Sequence, residues 1–183
     1  MIIKMNKRFL NSCFVGACLM LLGLSKVVSA QTCNANIPAY TPAEHFTVNG
    51  DGTVTHNKTN LMWKVCAEGQ SWSADNCAGN ASTYNWSNAL TVPDTVNTGG
   101  GYAGYTDWRL PNVKELASIA ELKCEGPAVN ETIFPATPAN NFWSATPDVE
   151  NDEKVRSIYF GDGGNISNDR EGVDTRVRLV RGG

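Results

Sequence analysis

Histidine is nearly absent from this 183-residue chain: His45 and His56 are the only two. Neither stands at ligand spacing from a cysteine, and no Cys-x-x-Cys pair exists, so zinc is not expected. No Gly-x-Ser-x-Gly elbow accompanies them, which removes the usual signature of a serine hydrolase. Both histidines therefore read as surface or structural residues. Basic charge is scarce as well. Of 15 Lys and Arg, four (Lys4, Lys7, Arg8 and Lys26) fall in the first thirty residues, where no acidic residue occurs. The remaining 153 residues carry 11 basic against 18 acidic side chains, a net charge of −7, which does not invite nucleic acid or anionic membranes. Internal repeats and low-complexity tracts are missing too. The one long apolar stretch, Phe9 to Leu24, is broken by Asn11, Ser12 and Gly16 and is too uneven for a strong membrane span.

That stretch has a different meaning. A basic front end, an apolar centre and Val28-Ser29-Ala30 form the three parts of a secretory signal peptide, with cleavage expected after Ala30. Val15-Gly16-Ala17-Cys18 resembles a lipobox, but Leu19-Met20-Leu21-Leu22 continues the apolar run where a lipoprotein has a polar tether. A secreted, periplasmic or cell-surface location is the expectation, without a membrane span once the leader is gone. Residues 31–45, with Pro38 and Pro42, read as an extended lead-in, and residues 46–183 as one domain with one core. Of six cysteines, Cys13 and Cys18 lie in the leader. An oxidising compartment then makes two disulfides the default for Cys33, Cys66, Cys77 and Cys124. Spacing does not choose among the three connectivities. The expected pairs are Cys66–Cys77, closing a short loop, and Cys33–Cys124, tying down the N-terminus.

The pattern of elements is mixed. Phe46-Thr47-Val48 and Thr53-Val54-Thr55 flank Asn49-Gly50-Asp51-Gly52, a hairpin signal, and residues 61–65 read as a third strand. Residues 82–90 suit a short helix with Trp86 and Leu90 on one face. Residues 112–123 carry the clearest signature. Asn112 and Glu115 form a capping box after Pro111, Val113, Leu116, Ile119 and Ala120 make one stripe, and Gly126-Pro127 stops it. Residues 142–144, 155–160 and 176–180 are further strand candidates, the last with Val177 and Leu179 inward and Arg176 and Arg178 outward. Two helices among several short strands indicate an α+β fold rather than alternating βαβ units.

Motifs for catalysis and cofactors are weak. Residues 99–104 match Gly-x-Gly-x-x-Gly, but a loop precedes them and Asp107-Trp108-Arg109-Leu110 comes after as a strand-like run, so they read as a flexible loop. Glu115 and Glu121 do not face one another, and nothing local singles out Asp148 or Asp162 as a glycosidase pair. Asp162, Asn165, Asn168, Asp169 and Asp174 concentrate oxygen ligands of the kind calcium uses. Asp162-Gly163-Gly164-Asn165 is equally ordinary turn chemistry, which is the reading preferred. No metal and no other cofactor is expected.

Tyr105-Thr106-Asp107-Trp108-Arg109-Leu110-Pro111, leading into Val113-Lys114-Glu115-Leu116, resembles the signature of the Lcl C-terminal domain family of bacterial secreted proteins. Other stretches fit in order: Leu61-Met62-Trp63 with Cys66, Gly69-Gln70, Trp72 and Cys77, then Tyr84, Trp86 and Ala89. Ile133-Phe134-Pro135, Phe142-Trp143-Ser144-Ala145-Thr146 and Val177-Arg178-Leu179-Val180-Arg181-Gly182 complete the set. The resemblance covers residues 46–183. It implies a compact domain similar to C-type lectin-like and sulfatase-modifying-factor folds, with variable ligand contacts on irregular C-terminal loops. Some relatives act as adhesins for sulfated polysaccharides. Two departures stand out. Leu179 occupies a position where many members have cysteine, so pairing does not transfer directly. No collagen-like stalk is seen beside the domain, which puts avidity-based adhesion in doubt.

In the motif itself, Asp107, Trp108, Arg109, Pro111 and Glu115 read as structural, with the Arg109 guanidinium bridging carbonyls or a carboxylate such as Asp107. Trp63, Trp86 and Trp108 are assigned to packing. The function expected is a non-catalytic, adhesin-like binding module, its ligand an extracellular glycan; a structural or protein-interaction subunit of an envelope assembly is the alternative. Candidate contacts are Trp143, Asp148, Asn151, Asp152, Tyr159, Asp162, Asn165, Asn168, Asp169, Arg170, Arg176 and Arg178. Lys154, Arg156, Arg170, Arg176, Arg178 and Arg181 make an anionic glycan conceivable, although eight acidic residues from Asp148 onward share the region.

Overall fold

The computed structural model describes residues 30–182, so the leader expected over residues 1–30 lies outside the described residues, Ala30 excepted. The chain opens with β1 (Thr32–Cys33) and a single 3-10 turn at Ala43–His45. Residues 49–52 then reverse it between β2 (Phe46–Val48) and β3 (Thr53–His56), with Val48 opposite Val54, the hairpin that the sequence implies. Asp51 Oδ1 accepts from the Thr53 amide, and Gly52 sits at φ +84° where a Cβ would strike the Tyr102 hydroxyl and the Trp72 ring. Only glycine fits there. β4 (Leu61–Lys64) comes next, and β5 (Ser71–Ser73) pairs with β6 (Asn76–Ala78) across the Cys66–Cys77 disulfide loop.

α1 spans Trp86–Thr98 rather than residues 82–90. The Asn85 side chain accepts from the Asn88 amide and fixes the start four residues later than the periodicity suggests. Pro93 lies inside the helix, a residue costing about 3 kcal/mol in an exposed helix, yet Ala89, Val92 and Pro93 are buried and their packing carries the helix through. Leu90, expected to share a face with Trp86, is exposed. α2 is short, Val113–Ala117. Its capping box forms as expected from Asn112 and Glu115. Beyond Ala117 the bonds tighten to the i→i−3 type, Ile119 to Leu116 and Ala120 to Ala117, so the buried stripe outlasts the helix.

The remaining strands are β7 (Cys124–Glu125), β8 (Asn141–Pro147), β9 (Lys154–Tyr159), β10 (Gly164–Asp169) and β11 (Val180–Arg181). One sheet has the order β11-β4-β3-β2, a second the order β10-β9-β8, and β1 pairs with β7 beside the Cys33–Cys124 disulfide. Two helices and several small antiparallel sheets make this an α+β domain. Both disulfides are those expected, and closure of the 91-residue span stabilises by about 4.6 kcal/mol on loop entropy. β10 is a strand where the sequence suggests only loop. Its Gly-Asn-Ile-Ser-Asn-Asp composition is poor in β formers, but all six residues pair with β9.

The stretch 175–181 is not the regular strand expected over residues 176–180. It runs between the sheets, making single bridges from Thr175 to Tyr84, Arg176 to Phe142 and Val180 to Arg109 before β11 joins β4. The expected alternation fails at Arg178, which is buried rather than outward. Its guanidinium donates to the carbonyls of Lys64 and Val65 and to Thr137 Oγ1 at 2.7 Å, over the rings of Phe134 and Phe142. Burial pushes its pKa down to about 9, with Glu68 acting in the opposite direction. Among the described residues no helix is long and apolar enough to cross a membrane.

Glu121 secures the lead-in. Its carboxylate accepts from the Tyr40, Thr41 and Lys123 amides and the Thr41 hydroxyl. Burial opposes its ionisation, but these bonds more than offset it and hold the group below its ordinary value of 4.5. Glu121→Gln is expected to cost about 2 kcal/mol at pH 7. A lowered carboxyl pKa contributes stability above the unfolded value and loses it as pH falls through the folded one. The difference from wild type in chemical denaturation should therefore close below pH 4.5. Arg178→Ala is expected to destabilise by about 3 kcal/mol or more, through lost packing and orphaned carbonyls. Denaturation midpoints check this, and wild-type stability in the variant would refute the role given to Arg178.

Candidate binding surface

The β9–β10 hairpin separates residues that composition groups together. Gly164 faces Tyr159 at one end and Asp169 faces Lys154 at the other. Five steps at about 3.3 Å put the ends about 17 Å apart. Tyr159 and Asp162 stand at the turn, while Asp148, Asn151, Asp152, Asp169 and Arg170 lie at the opposite end. Asn165 and Asn168, three apart on one strand, point to opposite faces. Trp143 is fully buried and its Nε1 donates to the Tyr84 carbonyl at 2.8 Å, which takes it out of ligand reach. Arg178 is removed in the same way. Residue type alone makes both of them contact candidates, and core packing claims them instead.

Most polar candidates are engaged by their own loops. Asp148 accepts from the Glu150 amide, Asn151 from Glu153, Asp162 from Gly164 and Asp169 from Glu171, each an Asx turn two residues on. Asp148 Oδ2 also takes the Ser167 hydroxyl and lies 3.5 Å from Arg156. The Ser167 hydroxyl first, then the Glu150 amide, hold its carboxyl below the ordinary range. Asn168 donates to Ser157 Oγ at 3.0 Å. Among the described residues no three His, Cys, Asp or Glu side chains converge as a metal site.

The basic residues do not form an open patch. Arg156 faces Asp148, and Arg181 forks onto Asp107 at 2.7 and 3.1 Å. Arg176 donates to the Asp174 carbonyl, and Arg178 is buried. Arg170 lies over the Trp86 ring, 4.6 Å from its centroid. Of the six, only Lys154 makes no such contact among the described residues.

The end of the second sheet next to the first turn of α1 stays open. The Trp86 amide donates to the Arg170 carbonyl at 2.9 Å and its Nε1 to the Ser144 carbonyl at 3.0 Å, fixing the ring. The Arg170 amide donates to Glu153, and Glu153, Asp169, Arg170 and Glu171 line a shallow cleft of about 320 Å³. Val149 and Val173, on loops at this end, are 97% and 60% exposed, so the surface is not wholly polar. Trp86, Glu153 and Glu171 are absent from the contacts expected of the sequence. Trp86 reads there as a packing residue, and it is half-buried; its place directly after the Asn85 cap, at an exposed helix start, is the signal that could have found it.

The Tyr105-to-Leu116 motif lies outside this cleft, and its residues bond to one another and to residues 180–182. Arg109 forks onto both Glu115 oxygens at 2.8 and 2.7 Å and donates to the Gly182 carbonyl. Its partner is thus Glu115, not Asp107, which pairs with Arg181 instead. Burial opposes ionisation of Glu115, but Arg109 and the Asn112 amide hold its pKa below the ordinary value. Trp108 is buried, with Nε1 on the Tyr102 carbonyl. The motif thus ties the start of α2 to the chain's closing residues, and a family model for the Lcl C-terminal domain matches residues 52–181. The chain belongs to that family. No curated protein matches the sequence. In this Lcl C-terminal domain the family signature holds the scaffold together, and the open surface lies on loops outside it.

If Asp148 organises its loop, Asp148→Ala should speed amide hydrogen exchange over residues 148–153 and at Ser167, leaving α2 and the first sheet unchanged. Unaltered exchange in that loop would show that the backbone holds itself.

Proposed function

We propose that this Lcl C-terminal domain is a non-catalytic binding module, exported from the cytoplasm, that takes a neutral glycan at the Trp86–Arg170 end of its second sheet. Two disulfides and the leader-like N-terminus support a location outside the cytoplasm. The observation that carries the ligand class is the arrangement around Trp86: an indole fixed at its edge, a guanidinium stacked over it, and carboxylates at the rim. Such a site offers guanidinium donors and carboxylate acceptors to hydroxyls beside the Arg170–Trp86 stack. Sulfated glycans fit less well, because the basic side chains other than Lys154 are engaged within the domain and the cleft carries three carboxylates for one guanidinium.

The non-catalytic reading draws on the same geometry. His56 is buried with Nδ1 on Thr59 Oγ1, and burial, then His45 and Lys58, lower its pKa. Asp148 is bound to three partners in its own loop and strands. A second reading, capture of a protein partner, is favoured by one feature: Val149 and Val173 stand exposed at this end of the sheet.

Binding of the oxidised protein to neutral and sulfated polysaccharides across a salt series tests this. The expected result is saturable, nearly salt-independent binding to a neutral polymer, weakened about tenfold by Arg170→Ala, equivalent to about 1.4 kcal/mol. Binding only to sulfated polymers, collapsing with salt, would reverse the ligand class. Binding to none would leave the protein-partner reading.

A further inference from the structure

Beside α1, on the flank away from the Arg170 stack, lies a second concavity of about 300 Å³. Glu68 closes one end, Tyr84 and Asn88 flank it, and Val92 and Val96 form an apolar wall. Glu68 is only 8% exposed, and its Oε1 is held by Lys64 Nζ at 2.6 Å. Among the described residues Oε1 is buried and, although close to Lys64, receives no aligned hydrogen bond. A carboxylate oxygen at this depth calls for a donor from whatever enters the groove. The charges around it restrict that donor. Lys64 already neutralises Glu68, and the buried Arg178 adds a further positive charge to the same cluster. A cationic group entering here would meet net positive charge, and the lining itself supplies no Lys or Arg to pair with an anionic one.

The helix side of the groove points to the same chemistry. Thr91 and Thr95 donate their hydroxyl protons to the carbonyls of Asn88 and Thr91, so their oxygens keep free lone pairs. The Asn88 carboxamide is exposed and makes no side-chain hydrogen bond within the described residues, leaving both its donor and acceptor ends available. The volume stands at the lower limit of small-molecule sites, enough for one ring and its substituents. We infer that this groove is a subsite for one neutral, hydroxyl-bearing ring, such as a single pyranose unit, seated with its apolar face on Val92 and Val96 and a hydroxyl donating to Glu68. The inference rests on the glycan reading above for ligand class, but it uses none of the same residues except through α1.

Titration of the ¹⁵N-labelled, oxidised protein with maltose, cellobiose and di-N-acetylchitobiose tests it by chemical-shift mapping. At least one disaccharide is expected to give saturable shifts at Glu68, Tyr84, Val92 and the Asn88 side-chain amide. Asn88→Ala should weaken that binding about tenfold, and Thr91→Arg, which fills the groove from an exposed helix position, should abolish it. Both positions are solvent-facing, so unchanged melting curves are expected to accompany the loss. Arg170→Ala should leave these shifts intact. Shifts confined to the Trp86–Arg170 end would overturn the groove and leave the proposed function standing. Shifts in the groove that persist in Arg170→Ala, with none at the Arg170 end, would leave the groove and remove the site proposed above. No shifts with any of the three would overturn the groove.

Discussion

The two sheets meet around one buried cation. The Arg178 guanidinium binds two consecutive carbonyls at the end of β4, a hydroxyl on the chain before β8, and the faces of two phenylalanines. A charge removed from water is costly unless its donors are met. The chain segments that accept from Arg178 are therefore held where they can reach it. The segment carrying Arg178 bridges Tyr84, Phe142 and Arg109 within a few residues, so α1, the second sheet and the family motif are all referred to the same short run of chain. Each of those bridges is weak alone. Their common segment makes them cooperative.

On that frame the loops are shaped by contacts of a different kind. Side chains within them take up the turn geometry that hydrophobic burial does not reach, and four Asx turns recur in the second half of the domain. The open surface near Trp86 is thus preorganised, which limits the ordering cost of binding. The groove beside α1 is framed by a helix and by the Glu68 turn, whose amide is tied to Val177. It is a firmer recess than the loop face.

Local chemistry is legible where it is self-contained. The Asn112–Glu115 box, the 49–52 turn and the Asp162 turn each involve residues within a few positions of one another, and each forms as the sequence implies. The disulfides follow from compartment and number, with the pairing chosen among three alternatives. The failures have a common cause in long-range packing. α1 continues past Pro93 because a core receives its buried face, and β10 forms because β9 offers it six partners. Arg178 alternates outward by period and turns inward because its acceptors lie 113 and 114 residues away. The ligand candidates suffer most. Their polarity is evident from composition, but whether Asp148 or Asn151 is free depends on a loop amide two residues distant, which residue type alone does not reveal.

Those Asx turns carry an evolutionary consequence. Each loop holds one acceptor and one amide of its own that help to set its turn. Val149, Asp152 and Val173, which project from such loops, are therefore open to replacement without disturbing the fold, as long as the acceptor stays. Drift at these positions changes what the domain meets without changing what it is. A lineage of such domains can diversify its contacts one loop at a time, as separate characters under separate selection.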